Sequence, residues 1–244
     1  MTPPGRESAL FVRRRPASSL PPGRLYVGDE TCERRLPGEE LLAWLESECP
    51  APGWPLTLAT PPLTDAGLAL LEGALRRLVR LRPDGFEVVA NDLGALELLR
   101  GFPAARPVCG RLLSGRYMHF PEFPDEFLDF LADRGIDRVE INSRSQLQTA
   151  GGQLRGRGLL THFHWPHMFV AVTRFCACAD GFTGHPRDAI AACGRGCERF
   201  VGTYALGETE LLVCGNALWT KHPGLPQTPE EVDRIVSDEL IPAP

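Results

Sequence analysis

The stretch RLYVGDETCERRLPGEELLAWL, Arg24 to Leu45, holds one complete β-α unit and sets how the rest of the chain divides. Leu25 to Gly28 is a short apolar run of strand length. The polar segment after it places Cys32 just beyond the strand's carboxyl end. Pro37-Gly38-Glu39-Glu40 then opens an amphipathic helix. Leu41, Leu42 and Leu45 recur at helical spacing, and the acids lie in the first turn, where the helix dipole favours them.

The unit repeats downstream. PLTLAT (Pro55 to Thr60) predicts a second strand, Thr64-Asp65 caps a long helix ending near Leu81, and FEVVA (Phe86 to Ala90) predicts a third strand followed by Asn91-Asp92. Leu93 to Arg100 reads as a short helix, PVCGRLL (Pro107 to Leu113) as a fourth strand, Pro124 to Arg134 as a helix and Asp137 to Ile141 as a fifth strand. Strands alternating with helices imply a parallel sheet with helices outside it, because parallel strands need right-handed crossovers. The expected fold class is α/β, a single TIM-barrel-like domain, either closed or an incomplete, open relative, with an irregular cysteine-rich loop region toward the C-terminus.

The expected domain spans residues 24–225. Residues 1–23, rich in Pro, Arg and Ser, read as a disordered tail. GGQLRGRG (Gly151 to Gly158) reads as a flexible connector, and RFVGTYAL with TELLVCG as an antiparallel hairpin turned at Gly207-Glu208. A polar helix over residues 228–239 and a Pro-rich end complete 226–244.

The chain has 244 residues, ample for a hydrophobic core. Its 26 basic residues against 31 acidic ones, a net charge of −5, offer no general electrostatic reason to expect a nucleic-acid partner. No apolar run approaches the length of a membrane span, and the arginines at 13–15 precede no apolar segment. The expected location is the cytoplasm.

Four of the eight cysteines fall in RFCACADGFTGHPRDAIAACGRGC, Arg174 to Cys197. Cys176 and Cys178 form one short-spaced pair, Cys193 and Cys197 another. Two thiol pairs joined by a Gly-containing loop suit a soft metal; paired disulfides or inert thiols are the other readings. A reducing compartment disfavours disulfides. These residues alone leave iron-sulfur and zinc open. Cys49, Cys109 and Cys214 are expected to be inert.

In HFHWPH, His162 and His164 alternate so as to share a strand face. They read either as a metal or proton-donating site or as ordinary half-buried histidines, and no carboxylate lies beside them in sequence. Asp92 and Glu140, each near a strand's carboxyl end, are candidate site carboxylates alongside His164; a helix cap and a rim salt bridge are the alternative readings. Neither Gly-x-Ser-x-Gly nor His-Glu-x-x-His is present, so peptidase activity is not expected.

Two patches carry a family resemblance. LYVGDETCERR is similar to a strand ending in Tyr-x-Gly-Glu followed by a cysteine and a basic pair, and the Arg174 to Cys197 loop to an Ala-Arg-Cys segment, a Pro-Lys/Arg-Asp and a final Cys-x3-Cys. Between them, FEVVANDLGALELL and His164-x-Pro166 also match. Together they resemble the UbiV-like branch of the collagenase-like peptidase (U-32) family. The resemblance implies a barrel-like fold and a 4Fe-4S cluster on Cys32, Cys176, Cys193 and Cys197, with Cys178 as the alternative to Cys176. It also implies participation in oxygen-independent, anaerobic hydroxylation during ubiquinone biosynthesis, acting on an aromatic quinone precursor with a homologous, UbiU-like U-32 subunit. A zinc-stabilised binding protein and an RNA-hydroxylating or peptidase-like relative are the alternatives.

Overall fold

The computed structural model describes residues 6–16, 20, 23–47, 54–117, 120–173, 176, 193–198, 201–207, 209–226 and 232–238. The chain forms two compact units, one comprising residues 1–164 and 226–237, the other residues 165–225 and 238–244.

The first unit is built on a closed, eight-stranded parallel barrel. In chain order its strands are β1 (Glu7–Val12), β2 (Arg24–Gly28), β3 (Leu56–Ala59), β4 (Phe86–Ala90), β5 (Ala105–Cys109), β6 (Arg138–Ile141), β7 (Leu160–Trp165) and, after a long excursion, β12 (Arg234–Ser237). The strand order around the barrel is β1-β12-β7-β6-β5-β4-β3-β2. All five residues of β4 are buried, as expected of a parallel strand covered on both faces.

Helices form where apolar spacing and caps agree. The longest, α2 (Asp65–Leu81), follows Thr64, whose hydroxyl accepts from the Gly67 amide at 3.2 Å. Its buried residues Leu71, Ala74, Leu75 and Leu78 make one stripe. Helix α1 (Glu39–Ser47) buries Leu41, Leu42, Trp44 and Leu45. The others are α3 (Leu93–Leu99), α4 (Arg111–Ser114), α5 (Asp125–Asp133) and α6 (Arg144–Gly156). No helix among the described residues is long and apolar enough to cross a membrane.

Several expectations change. Glu7–Val12, read as tail, is a barrel strand pairing with both β2 and β12. Residues 234–237, read as part of a polar helix, are the eighth strand, while residues 227–231 and 239–244 lie outside the described residues. Both segments are short and begin with a charged residue, so their strand character emerges only when neighbours supply hydrogen bonds and counter-charges. The barrel is therefore closed rather than open. The Gly151–Gly158 connector belongs mostly to α6, where Leu147, Ala150, Gly151 and Leu154 are buried at helical spacing and packing outweighs the poor propensity of glycine. The fourth strand ends at Cys109, and Arg111 starts a helix.

Residues 165–225, expected within the barrel domain, make a separate four-stranded antiparallel sheet of order β8-β11-β10-β9. Its strands are β8 (His167–Val172), β9 (Gly202–Leu206), β10 (Thr209–Cys214) and β11 (Ala217–Lys221). The expected hairpin is present as β9 and β10, paired antiparallel. Phe169 and Trp219, ring centroids 4.2 Å apart and both buried, anchor β8 to β11.

Candidate functional site

The amino ends of the barrel strands carry an ionic layer. Glu87 faces Arg24 at 3.3 Å, Arg138 at 3.3 Å and Arg234 at 2.6 Å, and accepts from the Thr57 hydroxyl at 3.0 Å. Glu7 receives Arg24 at 2.8 Å and Arg234 at 2.6 Å. Burial raises the Glu87 carboxyl, but the Arg234 hydrogen bond and the three guanidinium charges outweigh it and hold the group below its ordinary value. This end of a barrel serves stability rather than chemistry.

The carboxyl ends carry different chemistry. Gly28 closes β2 at φ 105°, a conformation that suits glycine, and its Cα faces the Ala59 carbonyl too closely for a side chain. The turn that follows is organised by Asp29. Its Oδ1 accepts from the Thr31 amide at 2.8 Å, the Thr31 hydroxyl at 2.7 Å and the Cys32 amide at 3.0 Å. Its Oδ2 faces Arg13 at 3.1 Å and Arg35 at 3.2 Å. Burial pushes the Asp29 carboxyl up, yet Arg35, Arg13 and the Thr31 bonds prevail and keep it below the usual carboxylate value. A fixed anion thus holds the Cys32 backbone at the strand's carboxyl end, as expected from sequence. The next acid, Glu30, is buried against the equally buried Arg111, with Nε to Oε1 at 3.1 Å and Nη2 against Oε2.

Inside the barrel, β6 and β7 pair so that Glu140 is in register with His162. Glu140 Oε2 lies 3.1 Å from His164 Nε2, and Oε1 lies 4.0 Å from His162 Nδ1. His164 Nδ1 lies 3.7 Å from Glu30 Oε2. Arg234 donates to the Tyr26 hydroxyl at 2.9 Å and reaches His162 Nδ1 at 3.1 Å. A guanidinium can only donate, so Nδ1 of His162 is the acceptor and its proton sits on Nε2. Burial, then Arg234, Arg138 and Arg24, push the His162 imidazole well below its ordinary value, so it is neutral. Burial pushes the Glu140 carboxyl up to about 7, against the pull of Arg111, a hydrogen bond from the Tyr26 hydroxyl and the charge of Arg234. Burial and the Glu140 charge also raise the Tyr26 hydroxyl and the Cys109 thiol, so both stay protonated.

Of the three candidate catalytic residues, the structure brings two together. Glu140 and His164 share the barrel interior, fully buried rather than half-exposed. Asp92 is a cap: Oδ1 accepts from Ala95 N at 2.8 Å at the start of α3, and Oδ2 from Leu63 N at 2.7 Å. His167 lies in the second unit, where its Nδ1 is 3.2 Å from the Asp238 carbonyl. Tyr26, Glu30 and Arg111 were not singled out from sequence. The signal for Tyr26 was its place on an inward-facing alternation; Arg111 offered none, because it lies within a segment that reads as strand.

The four expected cysteine ligands divide between the units: Cys32 in the barrel unit, Cys176, Cys193 and Cys197 in the second. Arg174 and Cys178 lie outside the described residues, as does Cys49. Cys176 and Cys197 are buried and Cys193 is half-buried. Between the last two, Arg195 adopts φ 54° and directs its amide at Cys193 Sγ, 3.4 Å away. Among the described residues, Cys176, Cys193 and Cys197 are not gathered into a group that could hold a metal ion. Cys109, buried within β5, is a protonated thiol, raised by burial and the Glu140 charge against a backbone hydrogen bond from Ser114.

No protein-family model matches this chain, and no curated protein is similar to it.

Proposed function

We propose that this chain is an iron-sulfur protein of the UbiV-like kind, a barrel that takes part in oxygen-independent hydroxylation of an aromatic quinone precursor in the cytoplasm, alongside a homologous UbiU-like subunit. The observation that carries the metal half of this reading is the turn from Cys193 to Cys197, with a backbone amide set on Cys193 Sγ. The family half rests on the sequence resemblance at LYVGDETCERR and the Arg174 to Cys197 loop.

Cys32, Cys176, Cys193 and Cys197 would hold a 4Fe-4S cluster, one thiolate per iron, with Cys178 as the alternative to Cys176. When bound, such a cluster supplies one-electron redox chemistry, which side chains alone supply poorly. The chain's own part is to fix the ligands. Asp29 holds the Cys32 amide, and Arg13 and Arg35 keep Asp29 ionised for that task.

Anaerobic purification followed by iron, sulfide and zinc analysis tests the metal. Iron and sulfide in equal amounts, lost in Cys32→Ala, Cys193→Ala and Cys197→Ala, are the expected result; stoichiometric zinc would turn the reading to a zinc-stabilised binding protein. A deletion strain grown without oxygen tests the role. It should lose ubiquinone and accumulate an under-hydroxylated precursor, with aerobic ubiquinone unchanged. Normal anaerobic quinone in that strain, with no second family copy, would sink the assignment.

A further inference from the structure

The barrel interior holds ionisable groups that neither the thiolates nor the ionic layer uses. From Arg234 the sequence of contacts passes to Tyr26 and His162, then Glu140, then His164, then Glu30 at the rim. The polar neighbours of the Glu140 carboxyl are the Tyr26 hydroxyl and His164 Nε2, the latter 3.1 Å from Oε2, while Nε2 of His162 has no well-formed hydrogen bond among the described residues. Their walls are apolar: Phe11 and Tyr26 stand with ring centroids 6.2 and 6.0 Å from the His164 ring, and Val89 and Val108 belong to the same buried cluster as both aromatics. A carboxyl buried with so few polar neighbours costs a fold free energy that an apolar residue would not. Where such a group is kept at the carboxyl-terminal end of a barrel, beside a histidine, the arrangement serves chemistry.

We propose that Glu140 and His164 form a proton-transfer pair, in which Glu140 holds the proton and His164 passes it to, or takes it from, an aromatic substrate carrying a phenolic hydroxyl at the carboxyl-terminal mouth of the barrel. The choice of substrate class rests on the hydroxylation reading above. Ionising that hydroxyl raises the electron density of the ring without any change of oxidation state, and it requires a base beside the oxygen to take the proton. In that direction His164 Nδ1 takes the hydroxyl proton as the oxygen–hydrogen bond breaks and its electron pair stays on the oxygen, leaving the phenolate. The Nε2 proton passes to the Glu140 carboxylate, and His164 remains neutral as its other tautomer. The reverse protonates a phenolate by the same bonds. His164 Nδ1 is the atom on the Glu30 side, toward the β2 rim. The titratable and charged groups around Glu140 are Tyr26 on β2, Glu87 on β4, Cys109 on β5, Arg111 on α4, His162 and His164 on β7 and Arg234 on β12. Burial pushes the Glu140 carboxyl up to about 7, which suits a group that must both hold and release a proton near neutrality.

Two measurements on the full, anaerobically purified chain test the pair. In the deletion strain grown without oxygen, Glu140→Gln and His164→Asn should restore quinone at least about a hundredfold less than wild type while retaining iron content and a cooperative thermal transition. Glu140→Asp, which keeps an ionisable carboxyl, should recover part of the loss and so separates proton transfer from packing. Infrared spectroscopy should show a protonated-carboxyl band that fades as pH rises through neutrality and is missing in Glu140→Gln. Full restoration of quinone by both Glu140→Gln and His164→Asn overturns the proposal. Should wild type itself restore nothing, the hydroxylation reading has failed and the infrared result decides the pair: a band present in wild type, absent in Glu140→Gln and shifted in midpoint by His164→Asn keeps it, and a spectrum unchanged by either substitution removes it.

Discussion

Arg234 and Glu87 form a two-pronged ion pair inside the barrel, Nη1 to Oε2 at 2.6 Å and Nη2 to Oε1 at 3.0 Å. The pair joins the first residue of the eighth strand to β4, on another side of the barrel. Through Nε the same guanidinium reaches Glu7 at the start of β1, 2.6 Å away. Barrel closure is thus held by charge at the amino ends of strands whose sequences announce no strand.

Arg234→Leu should therefore destabilise the barrel by on the order of 3 kcal/mol, the lower end for a broken buried pair, because Arg24 and Arg138 still face Glu87. Urea denaturation of the two proteins measures it. An unchanged midpoint would mean that strand pairing alone closes the barrel.

Glu140 makes stability depend on pH in a defined direction. Its carboxyl is raised from an ordinary 4.5 to about 7 by burial. Between those values the folded chain keeps a proton that the unfolded chain has released, so stability is fully present below about 4.5, falls as pH rises and levels off above about 7. The full difference is about 3 kcal/mol. Glu140→Gln, neutral throughout, should flatten that part of the profile when denaturant midpoints at pH 5 and pH 8 are compared. Parallel profiles for the two proteins would mean that Glu140 is already ionised at pH 5.

Gly28→Ala should cost more than about 1 kcal/mol, since alanine is disfavoured at φ 105° and its methyl would strike the Ala59 carbonyl oxygen. The added strain falls beside Asp29, so iron retention by Cys32 should weaken with it. Thermal melts and iron analysis of the same preparation read both effects, and a variant as stable as wild type would show that the turn relaxes freely.

Asp92→Ala should cost about 1 kcal/mol through the lost α3 cap, with a further loss from the Leu63 amide, and leave anaerobic quinone restoration intact. Loss of quinone at undiminished stability would return Asp92 to the candidate chemistry.

Local periodicity carried much of the fold into view. FEVVA and LYVG are apolar runs of strand length, and Thr64 and Asp92 are caps wherever the chain places them, because a cap depends on residues three positions away. The alternation of such strands with helices implies parallel pairing, since only a crossover returns the chain to the same end of a sheet. Cys32 at the end of the first such strand, and the short cysteine spacings near 176–197, are equally local features.

Closure and the interior chemistry were decided by tertiary structure alone. The first and last barrel strands, Glu7–Val12 and Arg234–Ser237, resemble a tail and a helix because they are short and begin with a charge; their partners lie at the opposite end of the chain. Glu140 and His164 have no visible relation in sequence. The register that pairs Glu140 with His162 turns both side chains and His164 into the barrel, and burial there raises one group and neutralises another. A charge's environment belongs to the space it occupies, and that space exists only when strands distant in sequence have closed around it.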